Sequence, residues 1–156
     1  KYLSKIDMIK NIIPDVSLSS DVIVGFPVED DADFDETMKV VDYAEFDLIY
    51  MFKFSPRPGT VAADYNNQFV EKQVIDSRFM TLKEKQIEIS DIRYKRFVGT
   101  IQKMLVEKPS KKNKNILTGR IEGGHIVHLE SNQDIIGNLV DVNIHDSSPF
   151  FLKATL

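Results

Sequence analysis

Apolar positions along this chain change their period twice. Tyr2, Leu3, Ile6, Ile9, Ile12 and Ile13 recur at helical spacing until Pro14, which cannot continue a helix, so a helix is predicted to end just before it. Val16 to Val24 follows and finishes in the nearly continuous run Val22-Ile23-Val24, the pattern of a strand buried on both faces in a parallel sheet. Gly25-Phe26-Pro27 breaks it. Asp30 or Asp31 offers an N-cap, and Asp33 and Asp35 put negative charge where the first turn of a helix favours it. Phe34, Met38, Val41 and Ala44 form the stripe of that helix. Asp47 to Phe54 reads as a second strand and stops at Ser55-Pro56-Arg57-Pro58-Gly59-Thr60, a loop that is neither helix nor central strand. The order helix, strand, helix, strand is a piece of an α/β domain with parallel strands.

From Gln68 to Tyr94 the period is again helical, with Ile75, Phe79, Leu82, Gln86, Ile89 and Arg93 on one face. Such a helix would be about 40 Å long and reads as a connector. From Phe97 onward the period becomes two. Candidate strands are Val98–Glu107, Ile116–Glu122, His125–Glu130, Asn138–His145 and Phe150–Leu156, with Asn, Gly and Ser turns between them. Five short strands in 60 residues predict a small closed β-barrel, because an open sheet of this size leaves exposed edges. The expected organisation is an α/β part over 1–66, a connecting helix over 67–96 and an all-β barrel over 97–156.

Composition alters this picture in two places. The chain of 156 residues has no cysteine, which excludes disulfides, thiolate nucleophiles, zinc ribbons and any iron–sulfur cluster held by this chain, and it fits a cytoplasmic protein. No apolar run is long enough for a membrane span, and Lys1 to Lys10 mix charge with apolar positions, unlike a signal peptide. The net charge of −4 argues against nucleic-acid binding, yet residues 1–66 carry 6 Lys and Arg against 13 Asp and Glu, while residues 97–156 carry 7 against 6. An acidic front joined to a mildly basic back points to different partners for the two.

Three segments carry candidate chemistry. DVIVGFPVED (Asp21 to Asp30) is a strand, a turn and a capped helix; Gly25 would let a ligand approach the backbone, and Glu29 would accept hydrogen bonds from an amine or a ribose. The bland reading is a capped strand-to-helix turn and nothing more. SPRPGT holds Arg57 between two prolines, a stiff mount for a guanidinium that forks onto phosphate or carboxylate, or simply a rigid turn. KPSKKNKN (Lys108 to Asn115) places Lys108, Lys111, Lys112 and Lys114 on a barrel loop, followed by Arg120. Lysines neutralise phosphates and give salt-dependent RNA affinity, against the plain alternative of a solvated loop. Phe150 and Phe151 offer either a stacking platform or core. His125 and His128 point to opposite faces of one strand, so no metal site is expected, and the acidic run around Asp30 lacks the spacing of a calcium loop.

Taken together, SSDVIVGFP (Ser19 to Pro27), FSPRPGT (Phe54 to Thr60), VEKPSKKN (Val106 to Asn113), LTGRIEGGHIVHLE (Leu117 to Glu130) and IIGNLVDVNI (Ile135 to Ile144) resemble, in order, the C-terminal part of the radical-SAM methylthiotransferases. The resemblance implies the last strands and helices of a partial (β/α) barrel that binds S-adenosylmethionine, a connecting helix and a five-stranded TRAM β-barrel that holds a tRNA anticodon stem-loop. It implies methylthiolation of an N6-prenylated adenosine beside the anticodon, with S-adenosylmethionine and two [4Fe–4S] clusters in the full-length enzyme. It places Gly25, Phe26, Pro27 and Glu29 on the cofactor side, and Arg57, Lys108, Lys111, Lys112, Lys114 and Arg120 on the RNA side, with no metal ligand and no catalytic residue in this chain. The family's CxxxCxxC motif and N-terminal cluster cysteines are missing and the chain starts at Lys1, so it is expected to be a fragment that lacks its N-terminal partner segment and is inactive alone. Three departures stand out: Val28 where the family's GFPGET has Gly, Asp30 for its Thr, and His128 where Asn is usual. Methylthiolation of a ribosomal protein or of another modified adenosine, and a non-catalytic RNA-binding module, remain as alternatives.

Overall fold

The protein was described from a computed structural model covering residues 1–65, 68–111, 113 and 115–156. The chain divides into two compact units, Lys1–Ile89 and Ser90–Leu156.

In the first unit, α1 (Tyr2–Ile12) precedes β1 (Ser19–Val24), α2 (Asp31–Ala44) and β2 (Leu48–Lys53). The start of α2 is fixed by a reciprocal cap: the Asp30 carboxylate accepts from the Asp33 N–H at 2.9 Å, and the Asp33 carboxylate from the Asp30 N–H at 3.2 Å. β1 and β2 pair in parallel, Ser19 opposite Leu48 and Val24 opposite Lys53. A short 3₁₀ turn, Val61–Asp64, leads towards α3 (Lys72–Lys95), a single unbroken helix that runs on into the second unit. Val24 and Ile49 face a core formed with Ile6, Val41, Ala44, Phe46, Leu82 and Ile89. Each of these side chains except that of Ala44 contributes roughly 1.5–3 kcal/mol of burial.

The expectation of two-sided burial for β1 is corrected here. Alternation sends Val22 and Val24 towards the helices but leaves Ile23 52%, Tyr50 54% and Phe52 51% exposed on the opposite face. The apolar run was real, but helices cover only one side of this two-stranded sheet.

In the second unit, β3 (Ile101–Pro109), β4 (Ile116–Ile121), β5 (Ile126–Glu130), β6 (Leu139–Ser147) and β7 (Leu152–Thr155) close a barrel in the order β3-β4-β5-β7-β6. β5 and β7 run parallel, and the other neighbours antiparallel. Met104, Val106, Leu117, Ile121, Val127, Leu129, Val142, Ile144, Leu152 and Ala154 point inward, with Tyr94 from the last turn of α3. His125 is buried among rings, 4.7 Å from the centroids of both Tyr94 and Phe97. It belongs to the packing of the barrel, and among the described residues no group of three or more His, Asp or Glu is placed to hold a metal ion.

Candidate functional site

Parallel strands bring both of their following loops to one edge, so Gly25-Phe26-Pro27 and Ser55–Thr60 meet beyond the C-terminal ends of β1 and β2. Between them lies an open cleft of about 540 Å³ lined by Ile23, Phe26, Phe52 and Phe54 and by the polar groups of Asp21, Lys53, Ser55, Arg57 and Thr60. Phe54 stacks against Phe69 at 6.2 Å and meets the edge of Phe26 at 5.3 Å. Apolar walls with a few convergent polar groups suit a ligand that combines a flat ring with charged or hydroxylated parts.

The turn that shapes one wall is tightly held. Gly25 has φ +76°, and a Cβ there would overlap the Ile75 side chain of α3. The space that sequence reasoning reserved for a ligand at this glycine is taken by Ile75. Both oxygens of the Glu29 carboxylate accept from the Gly25 N–H, at 3.0 and 3.1 Å. Arg78 of α3, 7% exposed, donates from one guanidinium nitrogen to Glu29 Oε1 at 2.6 Å and to the Glu29 carbonyl at 3.2 Å, and from the other to Asp31 Oδ1 at 2.7 Å. The Val28 N–H donates to the Gln68 carbonyl at 3.0 Å. Of the predicted cofactor-side residues, Phe26 lines the cleft, whereas Gly25, Pro27 and Glu29 do not. Arg57 lines it too.

Val28 carries φ 66°, a left-handed conformation unfavourable for a β-branched residue. The strain is about 1–2 kcal/mol, against about 0.5–1 kcal/mol of extra chain entropy that a glycine loses on folding. Val28→Gly is therefore expected to stabilise the protein by about 1 kcal/mol, read as a raised urea midpoint with an unchanged slope. A lowered midpoint would contradict this.

On the barrel, Lys108 lies near the end of β3 and Lys111 is exposed in the loop that follows. The loop is closed by Ser110 N–H donating to the Ile116 carbonyl at 2.7 Å and Asn115 N–H to Asn113 Oδ1 at 3.0 Å. Lys112 and Lys114 lie outside the described residues. Arg120 is partly committed: it donates to the Gly124 carbonyl at 2.7 Å, and its Nε lies 3.5 Å from the Glu107 carboxylate. On the outer face Thr118, His128 and Lys153 stand in register across β4, β5 and β7. Phe151 stacks on His128 at 4.4 Å with 19° between the planes, while Phe150 is 61% exposed. A cationic loop beside an aromatic, polar barrel face can hold single-stranded or looped nucleic acid.

Burial pulls the His128 imidazole below its ordinary pKa, so the folded barrel favours the neutral ring. The unfolded chain takes up that proton first, near pH 6.5. Stability is then complete above that value and falls as the pH drops towards the lower folded value. The expected result is a Tm that drops more between pH 7.5 and 5.5 in the wild type than in His128→Asn. Equal drops would remove His128 from the pH response.

Residues 95–156 match the TRAM domain family, so the barrel is a TRAM domain. Over 94% of its length the chain is 46% identical to the tRNA-2-methylthio-N(6)-dimethylallyladenosine synthase of Photobacterium profundum, covering 31% of that protein. It is 45% identical over its whole length to the synthase of that name from Vibrio cholerae, covering 33% of it. With the Fusobacterium nucleatum synthase it shares 42% over 97% of the chain and 35% of the relative. The chain is similar to these synthases along nearly all of its own length and spans about a third of the length of the curated relatives it matches.

Sequence reasoning missed Arg78. It stands four residues before Leu82 and eight before Gln86, on the buried stripe of α3, and a cation at that spacing was the available signal.

Proposed function

We propose that this chain supplies part of the S-adenosylmethionine site and the tRNA-holding barrel of a cytoplasmic enzyme that adds a methylthio group to N6-prenylated adenosine beside the anticodon. The observation that carries this reading is the similarity to synthases of that name across both units, which ties the cleft and the barrel to one enzyme. The cleft fits an adenosine-bearing cofactor: Ile23, Phe26, Phe52 and Phe54 offer apolar surface to a ring, and Asp21, Lys53, Ser55 and Arg57 offer polar contacts. When bound, S-adenosylmethionine supplies the radical chemistry of the methylthiotransferases. Gly25 and Pro27 shape the turn behind Phe26, and Glu29 serves by holding that turn. With no cysteine and no metal-competent cluster among the described residues, the residues present do not fit an iron–sulfur cluster. The clusters belong to the remainder of the enzyme, and this chain alone is expected to be inactive.

On the barrel, Lys108, Lys111, Lys112 and Lys114 neutralise phosphates of the anticodon stem-loop, with Arg120 at the margin. Each phosphate contact contributes about 0.9 to the slope of log affinity against log salt for B-form DNA, and about 0.7 for single strands. Replacing Lys108 and Lys111 with Ala in the protein that contains this chain is expected to flatten that slope by about 1–2 and weaken anticodon stem-loop binding about tenfold at moderate salt. A slope equal to that of the wild type would take this loop out of the RNA interface and favour a protein substrate.

A further inference from the structure

We infer that Arg78 is a positioning residue for the cofactor-side turn: from α3 it holds the Glu29 carboxylate on the Gly25 N–H and so fixes Phe26 at the wall of the cleft. The inference rests on the reading of that cleft as the S-adenosylmethionine site.

The geometry is a relay of charge-assisted hydrogen bonds. The guanidinium forks, one nitrogen to Glu29 Oε1 at 2.6 Å and the other to Asp31 Oδ1 at 2.7 Å, while it lies 5.6 Å from the centroid of the Phe34 ring. The Glu29 side chain is 12% exposed, and its two oxygens close on the Gly25 N–H. Burial alone would pull the pKa of Arg78 down, but the hydrogen bonds and charges of Asp31 and Glu29 outweigh it, so the group stays charged. Two facts separate this from a core ion pair kept only for stability. A buried ion pair is often replaceable by apolar side chains at no loss of stability. An apolar pair, however, has no acceptor for the Gly25 N–H, at the left-handed turn immediately before Phe26. The relay also joins residues 29 and 78, so the wall of the cleft is set by a helix that contributes none of the cleft's lining residues.

The test uses the full-length, cluster-loaded protein that contains this chain, with three readouts: S-adenosylmethionine affinity by equilibrium dialysis, anticodon stem-loop affinity, and hydrogen exchange at the Gly25 amide. Arg78→Met strands a buried carboxylate and is expected to weaken S-adenosylmethionine at least tenfold and speed Gly25 exchange at least tenfold, with RNA affinity within twofold of wild type. Arg78→Met combined with Glu29→Gln leaves a neutral acceptor that needs no cation, so cofactor affinity is expected to return to within about threefold. Arg78→Lys, which keeps the charge but cannot fork, is expected to fall between wild type and Arg78→Met and stands in should the Met variant fail to fold. Unchanged cofactor affinity in Arg78→Met or Arg78→Lys, with a lowered Tm, would overturn the inference and leave Arg78 structural. A double variant no better than Arg78→Met would also overturn it. A wild-type protein that does not bind S-adenosylmethionine would instead overturn the reading of the cleft, and the inference with it.

Discussion

Gly119→Ala is expected to destabilise the barrel by about 3 kcal/mol and to weaken RNA binding with it. Gly119 sits mid-strand in β4, opposite Val106 and beside the register shift between Val106 and Lys108 on β3. A Cβ at this position would overlap the Leu105 carbonyl oxygen and lie 2.8 Å from Met104 Cε. Met104 can move its tip, but a paired backbone carbonyl cannot withdraw without breaking the ladder. Overpacking a well-packed core costs about 1–3 kcal/mol and occasionally more, and a clash with backbone belongs at the upper end. A unit of this size has roughly 0.05–0.15 kcal/mol of stability per residue, so about 3 kcal/mol removes much of it. Gly124→Ala is the comparison: it meets open space and bears only the strain of φ +79°, about 1–2 kcal/mol. Thermal unfolding followed by circular dichroism, with stem-loop binding beside it, checks the order. A Gly119→Ala barrel that melts with the wild type would show that β3 and β4 do not approach as closely as described.

Gly25→Ala is expected to damage the cleft nearly as severely, for two separable reasons. A left-handed φ costs an alanine about 1–2 kcal/mol, and the added methyl overlaps Ile75, worth about 1–3 kcal/mol more. Pairing it with Ile75→Ala removes the overlap and leaves the backbone strain. The double variant is therefore expected to be more stable than the sum of the two single losses by about 1–2 kcal/mol, a coupling that urea unfolding resolves. S-adenosylmethionine affinity should fall with Gly25→Ala and recover only in part in the double variant. Strict additivity would mean that Ile75 does not press on Gly25.

The barrel was legible because its signals are local. Leu117, Gly119 and Ile121 alternate with Thr118 and Arg120, and Gly123-Gly124 turns the chain, so period and punctuation agree without knowledge of any partner strand. The start of α2 was legible for the same reason, since Asp30 and Asp33 cap it from three residues apart. What stayed hidden depends on distant pairing. Glu29 read as a free acceptor because its partner, Arg78, is 49 residues away. Arg78 itself drew no reading, because nothing local marks a cation whose partners are on another element. Arg120 read as a phosphate ligand, since the sequence does not show that Gly124 and Glu107 already engage it. The run Val22 to Val24 was read as buried on both faces, and only one face is, because the sequence does not show which sides of the sheet the helices cover. At Val28 the departure from the family's glycine was visible, and its consequence, a strained φ of 66°, needed the backbone.

If this chain is part of an enzyme that methylthiolates prenylated adenosine in tRNA, as proposed, the tRNA of its source cells carries the product. Nucleoside mass spectrometry of bulk tRNA from source cells with and without the intact gene tests it most directly. The methylthio-prenyl adenosine is expected to disappear without the gene, and its prenylated, unthiolated precursor to accumulate. An unchanged nucleoside profile would contradict the substrate assignment and turn attention to a protein substrate for the same fold.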